Sequence, residues 1–557
     1  MMILKLVFQK FQNFRKRLSW QEIILLFLVI IIASPSFFIS WSLVDDGFTI
    51  LMVQKISYFL DNLDFGGLFN FLLERNNGRF RPAYWFFNWI IYLIGGKNPH
   101  FYYFVHFLIF SALAFLIFSI IKRITQSKTS ALFGVTIFIA NSINIENWYR
   151  LGPQEPFLSF WAILSLFCLV KALLEVKDSV GKRFFFFSLF FLPFVYFTKE
   201  TAVALLLFSI ALFLVLYFNY RKNLNARQFK IGKFFLLVNV FLSFMSSGII
   251  FLIRSSGSYS GYYLFDFSRV LNSSLVFLKV IHKSLSPFFE FFLLSFILRI
   301  GYTLLKGKKI EKDFLFWQLL AIFWFFSFFI VQLPWAFALG RYLMPSFIGL
   351  TIFLGIEIRN IFKFLPEKIK FFNHFFTLFV LLILAGFLFK NVSAFFNYAH
   401  WIITGTNKVS EVLSFVAQNA PLGGSVFLNA KKGDATIEIV IETGYHLKFF
   451  YNRADLKVDY LDSIEKEKIP KGSLILSAFV SRDFLEYSND QLKSLSYLKL
   501  VKEIPFENMT ILFSSRREFE NNFYLRLKNS VLYGEKFSFS PLKIDTLHNE
   551  WYIYKKC

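Results

Sequence analysis

The sequence predicts a polytopic α-helical membrane protein, with about 11 transmembrane helices and a small C-terminal extracytoplasmic α/β domain. Apolar runs long enough to cross a bilayer recur from residue 21 to residue 390, and the basic residues gather in alternate connections between them. After Lys390 the charged residues become frequent. Of 557 residues, 56% are hydrophobic and only 17% charged, and the mean hydropathy is +0.54, which excludes a soluble globule, a disordered chain and a long coiled coil. Cys168 inside an apolar run and Cys557 at the last position exclude a disulfide framework and a Cys-rich zinc site. The 60 Lys and Arg against 36 Asp and Glu leave a charge of +24. That excess sits in short loops beside apolar spans, so it marks a membrane face and not a nucleic-acid surface. The 83 phenylalanines are read as apolar bulk from a compositional bias, not as sugar-stacking sites.

A crossing needs roughly 20 residues, from a rise of about 1.5 Å per residue against about 30 Å of hydrocarbon. Eleven stretches qualify: 21–41, 99–121, 129–145, 156–175, 183–198, 200–220, 234–253, 286–305, 314–333, 342–358 and 371–390. The segment from Arg183 to Tyr220 is too long for one crossing and is interrupted only at Thr198-Lys199-Glu200-Thr201. It is expected to turn there, with Lys199 at a membrane surface. Lys5, Lys10, Arg15, Lys16 and Arg17 precede the first span, and every second loop thereafter is basic, so the N-terminus is cytoplasmic. The first stretch is longer than a signal-peptide core and is read as a retained anchor. Eleven crossings then leave the C-terminus outside, with loops 42–98, 146–155, 198–201, 254–285 and 334–341 on one extracytoplasmic face. The run from Asn77 to Leu93 reads as an interfacial helix. Beyond it, the alternating runs Ser425–Leu428 and Ser473–Leu476, among helix-like stretches at 408–418 and 490–499, predict the α/β unit. The chain divides into residues 1–400 and 401–557, and no GxGxxG or Walker motif marks a nucleotide site.

Topology does not require charge on the outer face, yet ionisable residues gather there: Asp45 and Asp46, Arg79 and Arg81, Arg150 and Glu155, Lys199 and Glu200, and Arg341. Taken singly, each has an ordinary reading. An aspartate caps the helix that starts at Gly47, Lys199 and Glu200 solvate a turn, and Arg341 snorkels to headgroups. Taken together on one face, they point to a site for an anionic substrate. No HExxH occurs and the seven histidines are scattered, so no metal ligands are assigned and dependence on a divalent metal stays open.

Val44-Asp45-Asp46-Gly47, Gly78-Arg79-Phe80-Arg81-Pro82, Thr198-Lys199-Glu200 and Gly340-Arg341-Tyr342-Leu343-Met344-Pro345-Ser346 occur in one order and spacing. Over roughly residues 20–360 this pattern resembles the GT-C superfamily of integral-membrane glycosyltransferases, in particular the protein O-mannosyltransferase and aminoarabinose-transferase group. The resemblance implies transfer of a sugar from a polyprenyl-phosphate donor to a glycan, lipid or protein acceptor, in a multi-pass protein of the bacterial inner membrane. It implies that Asp45 or Asp46 is the base, and that Lys199 and Arg341 lie near the carrier phosphate. The TPR array of some members is lacking, and the C-terminal segment carries no acceptor assignment.

The chemistry agrees with that implication. A hydroxyl acceptor is a poor nucleophile, and a positioned carboxylate that takes its proton contributes about 10² to 10⁴ in rate. The leaving phosphate needs no proton, so one base suffices, and it needs cations, for which Lys199, Arg341 and Arg150 are candidates. Successive helical residues point about 100° apart, so one of the two aspartates faces the sugar. Asp45 is favoured as the base, with Asp46 as a cap or a metal-binding second carboxylate. Direct displacement inverts the anomeric centre. The competing reading is a non-enzymatic flippase for lipid-linked sugars, against which stands the absence of repeated halves and of mid-bilayer charges.

Overall fold

Hydrocarbon offers backbone N–H and C=O groups no water, so the apolar stretches close their hydrogen bonds internally as helices. The computed structural model describes residues 19–43, 46–73, 79–223, 226–254, 266–286, 288–305, 312–334, 339–364, 370–432, 434–478, 485–505 and 551–557. Helix α1 (Trp20–Ala33) is followed by α2 (Asp46–Asp61), α3 (Phe65–Leu72), α4 (Pro82–Gly95) and α5 (Pro99–Thr125). Next come α6 (Lys128–Ile139), α7 (Ile145–Tyr149), α8 (Glu155–Leu174), α9 (Asp178–Tyr196) and α10 (Ala204–Asn223). The helical part closes with α11 (Ala226–Arg254), α12 (Phe267–Leu285), α13 (Phe288–Leu305), α14 (Lys312–Gln332), α15 (Met344–Phe364) and α16 (Lys370–Asn419).

Nine of the described helices are long and apolar enough to cross a membrane, which makes the chain an integral membrane protein. Two of the eleven expected crossings differ from their neighbours. The third, α6, has 12 residues, roughly 18 Å of helix. Asparagines end it: Asn144 donates to the carbonyl of Phe138 at 2.8 Å, and Asn141 accepts from the Ile143 N–H at 2.9 Å. Its residues from Phe133 to Ile139 are all buried, against α1, α5 and α15, so protein and not lipid surrounds it. The eighth, α13, follows α12 across a bend of 95°. The turn expected at Thr198–Thr201 is present as a 3₁₀ turn, Glu200–Val203. The helices it joins diverge, α9 packing on α8 and α10 on α11 and α14.

Ion pairs fix one end of the bundle. Glu22 caps α1 through Ser19 and meets Lys122 at 3.2 Å and Lys128 at 3.9 Å; Arg123 meets Glu175 at 3.4 Å and Arg227 meets Asp178 at 3.4 Å. The basic connections after α5, α8 and α10 are thus gathered together. The connections after α1, α4, α7, α9 and α14 lie at the opposite end.

The C-terminal part contains β1 (Ser425–Leu428), α17 (Asp434–Phe450), β2 (Lys457–Tyr460), β3 (Leu474–Ala478), α18 (Asn489–Ser494), β4 (Leu498–Ile504) and β5 (Trp551–Lys556). The sheet order is β2-β1-β3-β5-β4, parallel among the first three and antiparallel around β5. The strand expected at 425–428 is there, and the stretch 490–499 divides between α18 and β4. One helix, α16, runs unbroken through residues 400 and 401, and its Val412, Leu413 and Val416 pack with Val426, Leu474 and Ile553 of the sheet. Leu43, from the connection after α1, joins the same core.

Candidate active site

Four segments distant in sequence meet at the end opposite the basic connections. Glu146 and Arg150 stand one turn apart at α7, and Arg150 Nη1 bonds Glu146 Oε1. Arg341, in the 3₁₀ turn Gly340–Leu343 that leads into α15, donates to the same carboxylate oxygen at 2.7 Å. Its carbonyl accepts from Asn147 Nδ2 at 3.0 Å, which locks the turn onto α7. Lys199 is in extended backbone before the Glu200–Val203 turn, and its Nζ bonds Glu155 Oε1 at the start of α8. The ring of Tyr342 joins the two ion pairs, 4.6 Å from Lys199 Nζ and 5.3 Å from the Arg341 guanidinium carbon. Arg81 is buried at the N-terminus of α4 with its guanidinium 5.1 Å from the Trp85 ring. Just beyond it the Ala83 N–H donates to Phe197 O at 2.9 Å and Tyr84 Oη to Leu151 O at 3.3 Å, so this segment lies along both other turns.

Arg150, Arg341 and Lys199 therefore face two carboxylates, one positive charge in excess. The same turns carry buried polar atoms that make no hydrogen bond among the described residues: Arg341 Nε, Asn147 Oδ1, Thr201 Oγ1, Ser346 Oγ and Glu200 Oε1. Buried polar atoms are normally paired, with protein or with water or ligand. Of the open atoms, Arg341 Nε and the Thr201 and Ser346 hydroxyls are donors, suited to bind the oxygen atoms of an anion, whereas Asn147 Oδ1 and Glu200 Oε1 only accept.

Asp45 lies outside the described residues. Asp46 opens α2, is fully buried, and accepts from the Ser42 N–H at 2.7 Å, closing the loop on itself. Trp41 of this loop packs edge-on against Tyr102 of α5 with ring centroids 5.2 Å apart, and the next residue, Tyr103, donates to Tyr149 O at 3.4 Å beside Arg150, which puts the acidic loop and the basic cluster at the same end. The N–H groups of Gly47 and Phe48 donate to Glu442 of α17 at 2.7 and 3.0 Å. His446 lies one turn on, and burial pushes its imidazole down to about 4. Its 3.8 Å approach to Glu442 is therefore not an ion pair at neutral pH. Among the described residues no three His, Cys, Asp or Glu side chains come together to hold a metal ion.

Solved structures similar to this chain include two of one protein. They are ArnT from Cupriavidus metallidurans bound to undecaprenyl phosphate and the same protein in the apo state. Identity is 11% in both; the match covers 76% and 77% of this chain and 86% of the other, with TM-scores of 0.41 and 0.42. No protein-family model and no curated protein matches the chain.

Of the residues singled out from sequence, Arg150, Arg341, Glu155 and Lys199 are brought into one cluster, with Arg81 beside it. Glu200 does not pair with Lys199, its chain neighbour, because Lys199 reaches across to α8. Sequence reasoning missed Glu146, Tyr342 and Glu442. An i, i+4 spacing from Glu146 to Arg150 was the available signal for the first. For Glu442, 395 residues from Gly47, there was none.

Proposed function

We propose that this protein is a membrane glycosyltransferase that moves a sugar from a polyprenyl-phosphate donor to a hydroxyl acceptor on the extracytoplasmic side of a bacterial inner membrane, with the N-terminus cytoplasmic. The observation that carries the reading is the convergence of Arg150, Arg341 and Lys199 on Glu146 and Glu155, three cations on two carboxylates, with the buried donors Arg341 Nε, Thr201 Oγ1 and Ser346 Oγ left open beside them. In such a reaction the acceptor oxygen bonds the anomeric carbon as the bond from that carbon to the phosphate oxygen breaks. The phosphodiester, which carries one negative charge, leaves as a phosphomonoester that gains a second. Cations at the phosphate therefore stabilise the transition state more than the bound donor, which is what raises turnover. One such cation at about 4 Å is worth roughly 4 kcal/mol at an effective dielectric of 20.

The acceptor proton goes to Asp45 or Asp46. Attack from the face opposite the phosphate inverts the anomeric centre, so a single base is enough. Tyr102 and Tyr103, neighbours on α5, touch Trp41 of the acidic loop and the carbonyl of Tyr149 beside Arg150, which supports a base and a phosphate site at one end of the bundle.

The test uses the full chain in nanodiscs with a polyprenyl-phosphate sugar, the sugar being chosen by mass spectrometry of surface glycans from cells with and without the protein. Asp45→Asn, Asp46→Asn and the double variant are expected to retain donor binding while turnover falls by about 10² to 10⁴ in the variant that removes the base. Unchanged turnover in all three, or a product that retains the donor's anomeric configuration, overturns the mechanism.

A further inference from the structure

The loop that carries the acidic residues is held from outside the helix bundle. A helix leaves its first N–H groups without intrahelical partners, and the helix dipole favours an anion there. At α2 that anion is supplied by Glu442, whose two oxygens accept from Gly47 and Phe48. Glu442 is buried, and a carboxylate withdrawn from water requires such donors. The approach is close enough to demand glycine: a Cβ at Gly47 would stand 2.5 Å from Glu442 Oε2 and 2.8 Å from Tyr445 Cβ.

The same helix holds the loop on the other side of the acidic pair. Trp41 stacks on Phe450 with ring centroids 5.0 Å apart, and Lys97, whose carbonyl accepts from Trp41 Nε1 at 3.0 Å, donates to Phe449 O. From Trp41 to Phe48 the chain is thus attached to α17 on both flanks of Asp45 and Asp46.

We propose that Glu442 is a positioning residue of the transferase, through which the C-terminal α/β domain fixes the first turn of α2 and with it the direction in which Asp46 faces the sugar. The catalytic half of this statement rests on the function proposed above; the anchoring does not. Glu442 touches no reactant and acts through the backbone next to Asp46. A base must hold its geometry closely, since a displacement of about 1 Å costs on the order of 10² in rate.

Two variants test it in the full chain in nanodiscs. Glu442→Ala removes both acceptors, and Glu442→Gln keeps the volume but turns a donor toward one of the two N–H groups. Hydrogen exchange of the Gly47 and Phe48 amides is expected to quicken about tenfold or more in both, as for loss of a hydrogen bond to an ionised acceptor, while β3 and α15 keep their protection. Turnover falls about 10²-fold and the donor KM stays within about twofold, a split that general loosening of the fold would not give. Exchange unchanged in both variants overturns the proposal, and so does faster exchange with unchanged turnover. If Glu442→Ala also loses protection in β3, the Gln variant decides. A wild-type chain that transfers no sugar counts against the function alone, and the anchoring is then judged on exchange.

Discussion

Lys199 and Glu155 separate what holds the fold from what binds phosphate. Glu155 is only 1% exposed, and removing one partner of a buried pair costs about 3–5 kcal/mol, because the other charge is left without compensation. Lys199→Met is therefore expected to lower the unfolding midpoint sharply and to abolish transfer. Adding Glu155→Gln removes the stranded charge and recovers most of the stability. It does not recover transfer, since the leaving phosphate still lacks its cation. Thermal unfolding and a transfer assay on the same samples check this, and transfer regained in the double variant would take Lys199 out of the phosphate site. The residues of this cluster were legible where a charge interrupts an apolar run, as Lys199 and Arg341 do. Glu155 was singled out with them, but which residue pairs with which was not legible. Glu155 lies five residues from Arg150 yet bonds Lys199, and no local spacing encodes a contact made by packing α8 beside α9.

Among the elements, close approach of helices depends on glycine at a few points. A Cβ at Gly349 of α15 would stand 2.5 Å from Ala321 O and 2.7 Å from Phe325 N of α14, backbone atoms that cannot move aside. Gly134 and Gly355 let α6 and α15 approach in the same way, with the Gly355 Cα 3.2 Å from a Cβ at Gly134. Gly349→Val is expected to destabilise by about 1–3 kcal/mol through overpacking, and more if α14 is displaced. Gly248→Ala in α11, where nothing lies within 4 Å, is expected to leave the melting temperature unchanged or raise it slightly; equal losses in the two variants would contradict this packing. Apolar length made the spans legible because lipid requires it. The early end of α6 carries a signal that apolar length alone overlooks, since Asn141, Ser142 and Asn144 punctuate the run before Ile145. The continuity of α16 was hidden, because the shift in composition after Lys390 marks a change of solvent and not the end of a helix.

For the whole molecule, the basic connections at one end and the charged cluster at the other define an axis, and the positive-inside bias gives it a sign. Two cysteines suffice to check that sign. Cys557 is exposed and Cys168 buried, so a membrane-impermeant maleimide added to intact spheroplasts is expected to label the chain once, and Cys557→Ser to abolish labelling. Labelling that appears only after lysis would reverse the orientation.

The 50 residues of α16 form a rod about 75 Å along its contour, sunk in hydrocarbon at one end and in the core of the sheet at the other. A lever of that reach turns a tilt of about 5° at its root into some 6 Å of travel at its tip. With α17 packed on the rod and bonded to the first turn of α2, the rod, the sheet and the acidic loop are joined in one closed circuit of contacts, not hung as a separate appendage.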